Sequence, residues 1–312
     1  MDLITITVIT MSHLLRLLCL CLLLVSSCAS ATLVVHYRAA ESDKDRRQIY
    51  NYRLLALALK KTRSDYGDFE LRPVPTMNIA RMIHALKNNS HKHFVTEISY
   101  QDSFANSTID YVPFPIDLGV VGYRICFISP RLARRPTLPT DLDLLRHYSM
   151  GQGIGWADVA ILRHNGFYVE EVSNYENMFR MVAANRFDLL CRGINELFAE
   201  YEAHKEIPRL SYDRSVAFYY PLPRFFFVHY KDQPLKKRIE VGLLRAYADG
   251  SMQRLWQEEY QSSIDAADLA HRHLFKLENP VIKTLNLDYQ RYLYDPVNKR
   301  FATQGNDAGH QP

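Results

Sequence analysis

The sequence predicts an α/β protein of two lobes, with mixed sheets, flanking helices and a two-strand hinge. Three observations carry that expectation. Short β-branched or apolar runs alternate with amphipathic stretches along most of the chain. A long, glycine-bearing apolar run near 119–128 interrupts the alternation, which restarts after a basic, proline-rich connector at 131–139. A second extended run near 221–230 can return the chain to where it began. Two α/β units joined by two crossings enclose a cleft, the usual place for a small ligand, and hinge closure is the usual motion.

The elements follow in order. Thr32 to Tyr37 reads as a buried strand, and Ser42 as the N-cap of a helix whose apolar face is Ile49, Leu54, Leu55, Ala58 and Leu59. Phe69 to Val74 is the second strand, and Thr76 caps the second helix, with Ile79, Met82, Ile83 and Leu86 turned inward. Phe94 to Ile98 is the third strand, and the run from Leu118 to Ile128 is the first crossing. A short helix at Leu142 to Leu145 and a strand at His147 to Met150 open the second unit, and Gly151 to Gly155 reads as a glycine-rich turn. A helix from Trp156 to Asn165 stops at Gly166, as a C′ glycine dictates. Strands at Phe167–Val172 and Phe187–Cys191 alternate with helices at Asn174–Asn185 and Gly193–His204. Phe225 to Val228 is the return, and helices at Pro234–Ala248 and Ser251–Tyr260 close the fold. The expected division is a leader at 1–31, a first lobe at 32–122 plus 225–290, a second lobe at 123–224, and a disordered tail at 291–312.

Composition excludes whole classes of function. With 47% hydrophobic residues and a net charge of +4 the chain is neither disordered nor strongly charged. Its 38 Lys+Arg against 34 Asp+Glu form no long basic block, so no nucleic-acid partner is expected. Leu14 to Val25 is an apolar run too short for the roughly 20 residues of a bilayer span, and it ends in Ala29-Ser30-Ala31. This is the pattern of a signal peptide cut after Ala31, with Met11 as an alternative start. Val25-Ser26-Ser27-Cys28 also fits a lipobox, which would anchor the protein through Cys28. Of the five cysteines, Cys126 and Cys191 remain in the mature chain. Both sit in apolar runs, which favours buried free thiols over a disulfide.

Several local patterns then resemble one family. Gly151 to Ala157 followed by a helix is similar to the turn that opens the second lobe of amino-acid binders. Asn174 to Phe179 with Ala183 to Asp188 resembles their helix-to-strand step, and Leu235 to Tyr260, around Ala248-Asp249-Gly250-Ser251, resembles their C-terminal ending. Gly122-Tyr123-Arg124 and Arg192-Gly193-Ile194-Asn195-Glu196 resemble a divergent subgroup. Together these resemble the type II periplasmic solute-binding proteins, close to the family-3 group serving polar amino-acid ABC transporters, over roughly 32–262. The resemblance implies a periplasmic, monomeric, non-enzymatic protein that closes on a small ligand and presents it to an ABC permease or a membrane sensor. The chain departs from the family where a Thr-x-x-Arg segment is usual, since 97–102 holds no arginine, and where Trp156 replaces the turn threonine. No Asp stands near Arg192-Gly193 to hold an amino group.

The candidate site is read from strand ends, because ligands of parallel α/β sheets bind beyond the carboxyl ends of strands. Arg38, Arg124 and Arg192 are the candidates for gripping a carboxylate, which guanidinium binds in bidentate fashion. Gly155 and Trp156 place backbone N–H groups at a helix start. Glu41 and Glu196 are candidates for an amine, Tyr123 or Trp156 for an apolar part, and Asn195 completes the set. Each has a structural alternative: Arg38 paired with Glu41, Arg124 fastening the hinge, Arg192 paired with Glu196, Asn195 capping its helix, Trp156 in the core. No dinucleotide, phosphate-loop, zincin or nucleophile-elbow motif occurs, and no cofactor is expected. His91-Lys92-His93 and His271-Arg272-His273 lack a third ligand, so no metal is expected there. Asn88-Asn89-Ser90 and Asn106-Ser107-Thr108 match glycosylation sequons. On this reading Arg192→Ala weakens ligand binding about tenfold or more without unfolding the protein, as calorimetric titration would show.

Overall fold

The computed structural model describes residues 32–302. Residues 1–31, where a leader or an anchor at Cys28 is expected, and residues 303–312 lie outside the described residues. The chain begins with β1 (Leu33–Tyr37), α1 (Gln48–Lys61), β2 (Phe69–Pro73), α2 (Ile79–Lys87), β3 (Phe94–Ser99) and β4 (Ile109–Tyr111). It then forms β5 (Tyr123–Ile128), β6 (Met150–Gly153), α3 (Ala157–His164), β7 (Val169–Val172), α4 (Tyr175–Ala183), β8 (Leu189–Gly193), α5 (Leu197–Ala203), β9 (Ser211–Tyr212) and β10 (Val216–Tyr219). It returns through β11 (Arg224–His229), α6 (Gln233–Ala248) and α7 (Ser251–Ala267), and ends in β12 (His273–Lys276), β13 (Tyr294–Asp295) and β14 (Arg300–Phe301).

The first lobe is built on a sheet of order β2-β1-β3-β11-β4, in which β1 is parallel to β2 and β3 while β11 runs antiparallel. The second is built on β12-β10-β5-β8-β6-β7, with β9 paired to β5. Register explains where chemistry collects. Arg224, the first residue of β11, lies opposite Ser99, the last of β3, so the antiparallel strand delivers its N-terminal arginine to the carboxyl edge of β1 and β3. Likewise Arg124 near the start of β5 lies opposite Gly193 at the end of β8.

The first crossing is not the single long strand expected from Leu118. Only Tyr123–Ile128 pairs, after a 3₁₀ turn at Val120–Gly122. Before that turn, alternate residues Val112, Phe114, Ile116 and Leu118 are buried, and the backbone bonds to Phe226 and Arg224 of β11. The second crossing is Tyr220–Pro223. The chain crosses twice more. Residues 273–276, assigned above to the first lobe, add β12 to the second sheet beside β10. Val281 then accepts a hydrogen bond from Asp102 back in the first lobe. A short polar-flanked strand carries no signal of which sheet it joins, and the register of β10 decides it.

The tail expected to be disordered is ordered to residue 302. Its mean polarity hides Tyr292, Tyr294 and Phe301. Tyr294 and Phe301 close on the buried Trp256 ring at 4.5 and 5.4 Å, and Tyr294 donates its backbone N–H to Leu118. Other boundaries shift for local reasons. Ser42 does not cap α1, which starts at Gln48 after a turn in which Asp45 accepts from the Glu41 and Arg47 backbone N–H groups. Asn78, not Thr76, caps α2. Gly151–Gly153 is a strand, and the turn is confined to Ile154 and Gly155. The Gly193–His204 helix shrinks to Leu197–Ala203, because Arg192 and Gly193 are still in β8. Gly166 takes φ +89°, the C′ glycine expected after α3.

Cys126 and Cys191 face each other across β5 and β8 and are joined in a disulfide, correcting the free-thiol reading. Sequence spacing could not show that the two strands are neighbours. The bridge closes a sequence separation of 65 residues, which by chain entropy alone stabilises by about 4 kcal/mol. Denatured protein of residues 32–312 is therefore expected to show no free thiol until reductant is added, and Cys126→Ser with Cys191→Ser to lower the thermal midpoint by several degrees in calorimetry. A thiol titre of two without reductant would refute the bridge.

Candidate ligand site between the lobes

Arginines from both lobes converge where the strand ends meet. Arg38, just after β1, donates to Glu97 of β3 at 2.8 Å and to Glu41 at 2.7 Å. Arg47 donates to Asp45 at 2.7 Å and Glu41 at 3.0 Å, and lies over the Tyr175 ring at 3.8 Å. Arg124 pairs with Asp158 at 2.7 Å, which also accepts from Tyr220 at 2.5 Å. Arg192 sits between Glu196 at 2.9 Å and Glu200 at 2.7 Å, with its guanidinium 4.5 Å from the Trp156 ring. Arg224 is the loosest, 3.3 Å from Asp117 and 3.5 Å from Glu196.

The enclosed cavity between these groups is about 40 Å³. That is room for a few water molecules. The first lobe lines it with Arg38, Arg47, Gln48, Ile79, Glu97, Ser99, Gln101 and Arg224, and the second with Arg124, Gly155, Trp156, Asp158, Arg192 and Glu196. The lobes touch around it. Ser42 donates to Glu176, Lys44 pairs with Glu206, and Asn78 donates to the Ser173 carbonyl at 3.2 Å. Gly155 takes φ +82°, and a Cβ there would lie 3.3 Å from Ala80 of α2. A Cβ on Gly153 would lie 2.3 Å from the Trp156 ring, so this glycine lets the indole fold back to cover Arg192.

Several buried polar atoms remain without a hydrogen bond: Nε of Arg38, Nε and Nη1 of Arg124, and both carboxylate oxygens of Asp117. Burying such groups unpaired is costly, and their capacity stays open to a polar ligand. Burial pushes the Asp117 carboxyl up to about 6; Arg224 pulls against it, while the neighbouring Glu196 and Glu97 carboxylates push the same way as burial. Glu196 moves the other way. Burial alone would raise it, but Arg192, then Arg224 and Arg124, hold it well below the usual carboxylate range. Asp45 is similarly opposed by burial yet drawn down to about 2 by Arg47.

Of the residues singled out from sequence, Arg38, Arg124, Gly155, Trp156, Arg192 and Glu196 come together around the cavity. Glu41 stands one step behind, bridging Arg38 and Arg47. Asn195 turns to a neighbouring cavity instead. Tyr123 does not line the cleft: its ring packs at a tilt against Tyr219, 4.6 Å between centroids, because successive strand residues point to opposite faces and Arg124 takes the inward one. Sequence reasoning missed Arg47, Gln48, Glu97, Ser99, Gln101, Asp158 and Arg224. A charge at the end of an apolar run was the available signal for Glu97 and Arg224; Arg47 had none, in a run that read as a solvated helix start.

No protein-family model and no curated protein matches the sequence. Solved structures do match. An arginine-specific periplasmic binding protein of Salmonella typhimurium superposes with a TM-score of 0.56 at 9% identity, covering 73% of this chain and 100% of that one. An ancestral arginine-binding protein bound to arginine gives 0.54 at 15%, covering 73% and 98%. A histidine kinase sensor domain with similarity to periplasmic binding proteins gives 0.53 at 18%, covering 73% and 96%. The chain has the type II periplasmic-binding-protein fold. It extends beyond the matched structures, which are covered almost whole. The periplasmic-binding-protein fold places the charged cavity at the junction of its two lobes, where the cross-lobe contacts above hold it closed.

The arrangement changes what Arg192→Ala would do. It strands the buried Glu200 carboxylate and takes from Glu196 the nearest of its three arginines, at a cost of about 3–5 kcal/mol, so stability falls along with any binding. Asp117 gives a cleaner test. Its folded pKa of about 6 stands above the ordinary 3.8, so the native state binds the extra proton and stability falls as pH rises through 4 to 6. Asp117→Asn is expected to match wild type near pH 4 and to exceed it at pH 7.5 by up to about 3 kcal/mol in chemical unfolding. Equal pH dependence in the two proteins would refute the assignment.

Proposed function

We propose that the protein is an extracytoplasmic solute-binding protein that closes on a small polar ligand bearing a carboxylate and a cationic nitrogen, an amino acid or similar compound, for an ABC transporter. The observation that carries this reading is the meeting of arginines from both lobes in one closed cleft, with N–H groups of Arg38 and Arg124 left unpaired. Carboxylates from both lobes stand among them, so the cleft offers partners to both charges of a zwitterion. Arginine-binding proteins share the fold, as their structures state. The cavity of about 40 Å³ is too small for an amino acid in the closed form, so entry requires the lobes to part. A ligand drives closure only through contacts it gains when both lobes meet. The disulfide fits an oxidising compartment outside the cytoplasm.

Binding rather than catalysis is inferred from how Glu196 and the buried His204, two groups with acid–base chemistry, are held. Glu196 is fixed as a carboxylate by Arg192, and both ring nitrogens of His204 are taken, by the Glu200 carbonyl and Glu176. A second reading is a sensory or accessory protein that hands its ligand to a receptor. It is favoured by the sensor-domain match and by the extra crossings through β12, which tie the lobes together.

The test is a thermal-shift and calorimetric screen of residues 32–312 against amino acids, dicarboxylates and polyamines. A ligand at about 100 times its Kd adds about 2.7 kcal/mol and a clear rise in Tm. Trp156→Leu removes the ring over Arg192 while stranding no charge, and is expected to weaken the hit about tenfold at nearly unchanged apo stability. Failure of every compound in the panel to bind would overturn the amino-acid reading.

A further inference from the structure

A second cavity, of about 320 Å³, opens between α1, α5 and α7. Arg47, Glu196 and Arg224 line both it and the cleft, so these three side chains stand as the wall between the two. The second cavity is eightfold larger than the first and falls in the size range of small-molecule pockets, by the ratio of about 320 to about 40 Å³.

Its lining is incompletely satisfied. The Asn195 side chain is more than nine-tenths buried, its Oδ1 has no partner, and its amide makes no hydrogen bond among the described residues. The hydroxyls of Tyr260 and Ser263 also lack hydrogen-bond partners among the described residues, although both residues are buried. The charges are unequal in what they have left to give. Each lining carboxylate is already ion-paired: Glu196 and Glu200 with Arg192, Glu202 with Lys205, and Glu259 with Arg53. Arg46 at the mouth has no ion-pair partner among the described residues, and Arg224 in the wall has no carboxylate oxygen nearer than 3.3 Å. Ile49, Tyr50 and Phe198 supply apolar surface between these polar groups.

We propose that this cavity is a second ligand site, taking a small organic carboxylate with an apolar body. The carboxylate faces the guanidiniums of Arg46 or Arg224, the Asn195 amide and the Tyr260 and Ser263 hydroxyls complete its hydrogen bonds, and the body packs on Ile49 and Phe198. The site takes walls from the first lobe (α1, α7) and the second (α5), so its occupant touches both and favours the form in which they meet. The proposal does not depend on what the cleft binds.

The experiment titrates benzoate, phenylacetate and hexanoate into the wild-type protein, read by calorimetry and saturation-transfer NMR. Saturable binding of at least one probe is expected. Ala199→Trp, which fills the cavity from α5, is expected to abolish it, and Arg46→Glu, an exposed change that leaves the fold intact, to weaken it about tenfold or more. Trp156→Leu, which alters the cleft without adding bulk and touches no wall of the second cavity, is expected to leave it unchanged. No saturable binding of any probe overturns the proposal. So does binding that survives both Ala199→Trp and Arg46→Glu, or that Trp156→Leu weakens as much as they do, which would place the probe in the cleft.

Discussion

Gathering five arginines, three of them buried, at the junction of two lobes is the constraint on which the rest of this structure depends. Arg38, Arg47, Arg124, Arg192 and Arg224 are met by seven carboxylates: Glu41, Asp45, Glu97, Asp117, Asp158, Glu196 and Glu200. Taking such charges from water costs several kcal/mol each, and apolar replacements of similar volume are often no less stable. The lattice is therefore poorly explained as a device for stability. It is better explained by what it holds ready, since it leaves N–H groups of Arg38 and Arg124 without partners beside a cavity. The lattice also couples the lobes. Glu196 of the second lobe is shared by Arg192 and Arg124 of its own lobe and by Arg224 of the first, so opening the cleft alters the field at every member.

The rest of the fold limits how such opening can occur. A two-strand hinge would leave the lobes free to swing, but here β12 joins the second sheet after α7 has packed on α1 and α6 of the first lobe. The chain then returns, with Asp102 accepting from the Lys283 and Thr284 backbone and Asn279 donating to the Pro221 carbonyl in the second crossing. Trp256 donates to the Asp117 carbonyl at 3.1 Å, linking the C-terminal aromatic cluster to the residue whose carboxyl faces Arg224. Four passages between lobes, rather than two, confine relative motion to directions that keep these contacts.

Much of the fold was legible because it rests on local rules. Strand and helix alternate where apolar periodicity switches, Gly166 stops α3, and Asn174 caps α4. What failed locally failed for tertiary reasons. Ser42 had the spacing of an N-cap, but its hydroxyl goes to Glu176 of the other lobe. The tail read as disordered by average polarity, but Tyr294 and Phe301 find Trp256. Cys126 and Cys191 read as separate small hydrophobes until β5 and β8 proved to be neighbours.

The site divides along the same line. By itself the sequence determined that arginines end the strands at Arg38 and Arg192, that a glycine turn precedes Trp156, and that the chain builds two α/β units. Those features depend on residues close in sequence, where periodicity and turn chemistry act. Only the tertiary structure decided that Arg224 and Glu97 share an edge, that Asp158 meets Arg124, and that Tyr123 faces away. Antiparallel register and lobe closure set these, and both are relations between segments far apart in the chain. No local pattern encodes which two strand ends will be neighbours, and a buried charge has meaning only once its partner's position is known.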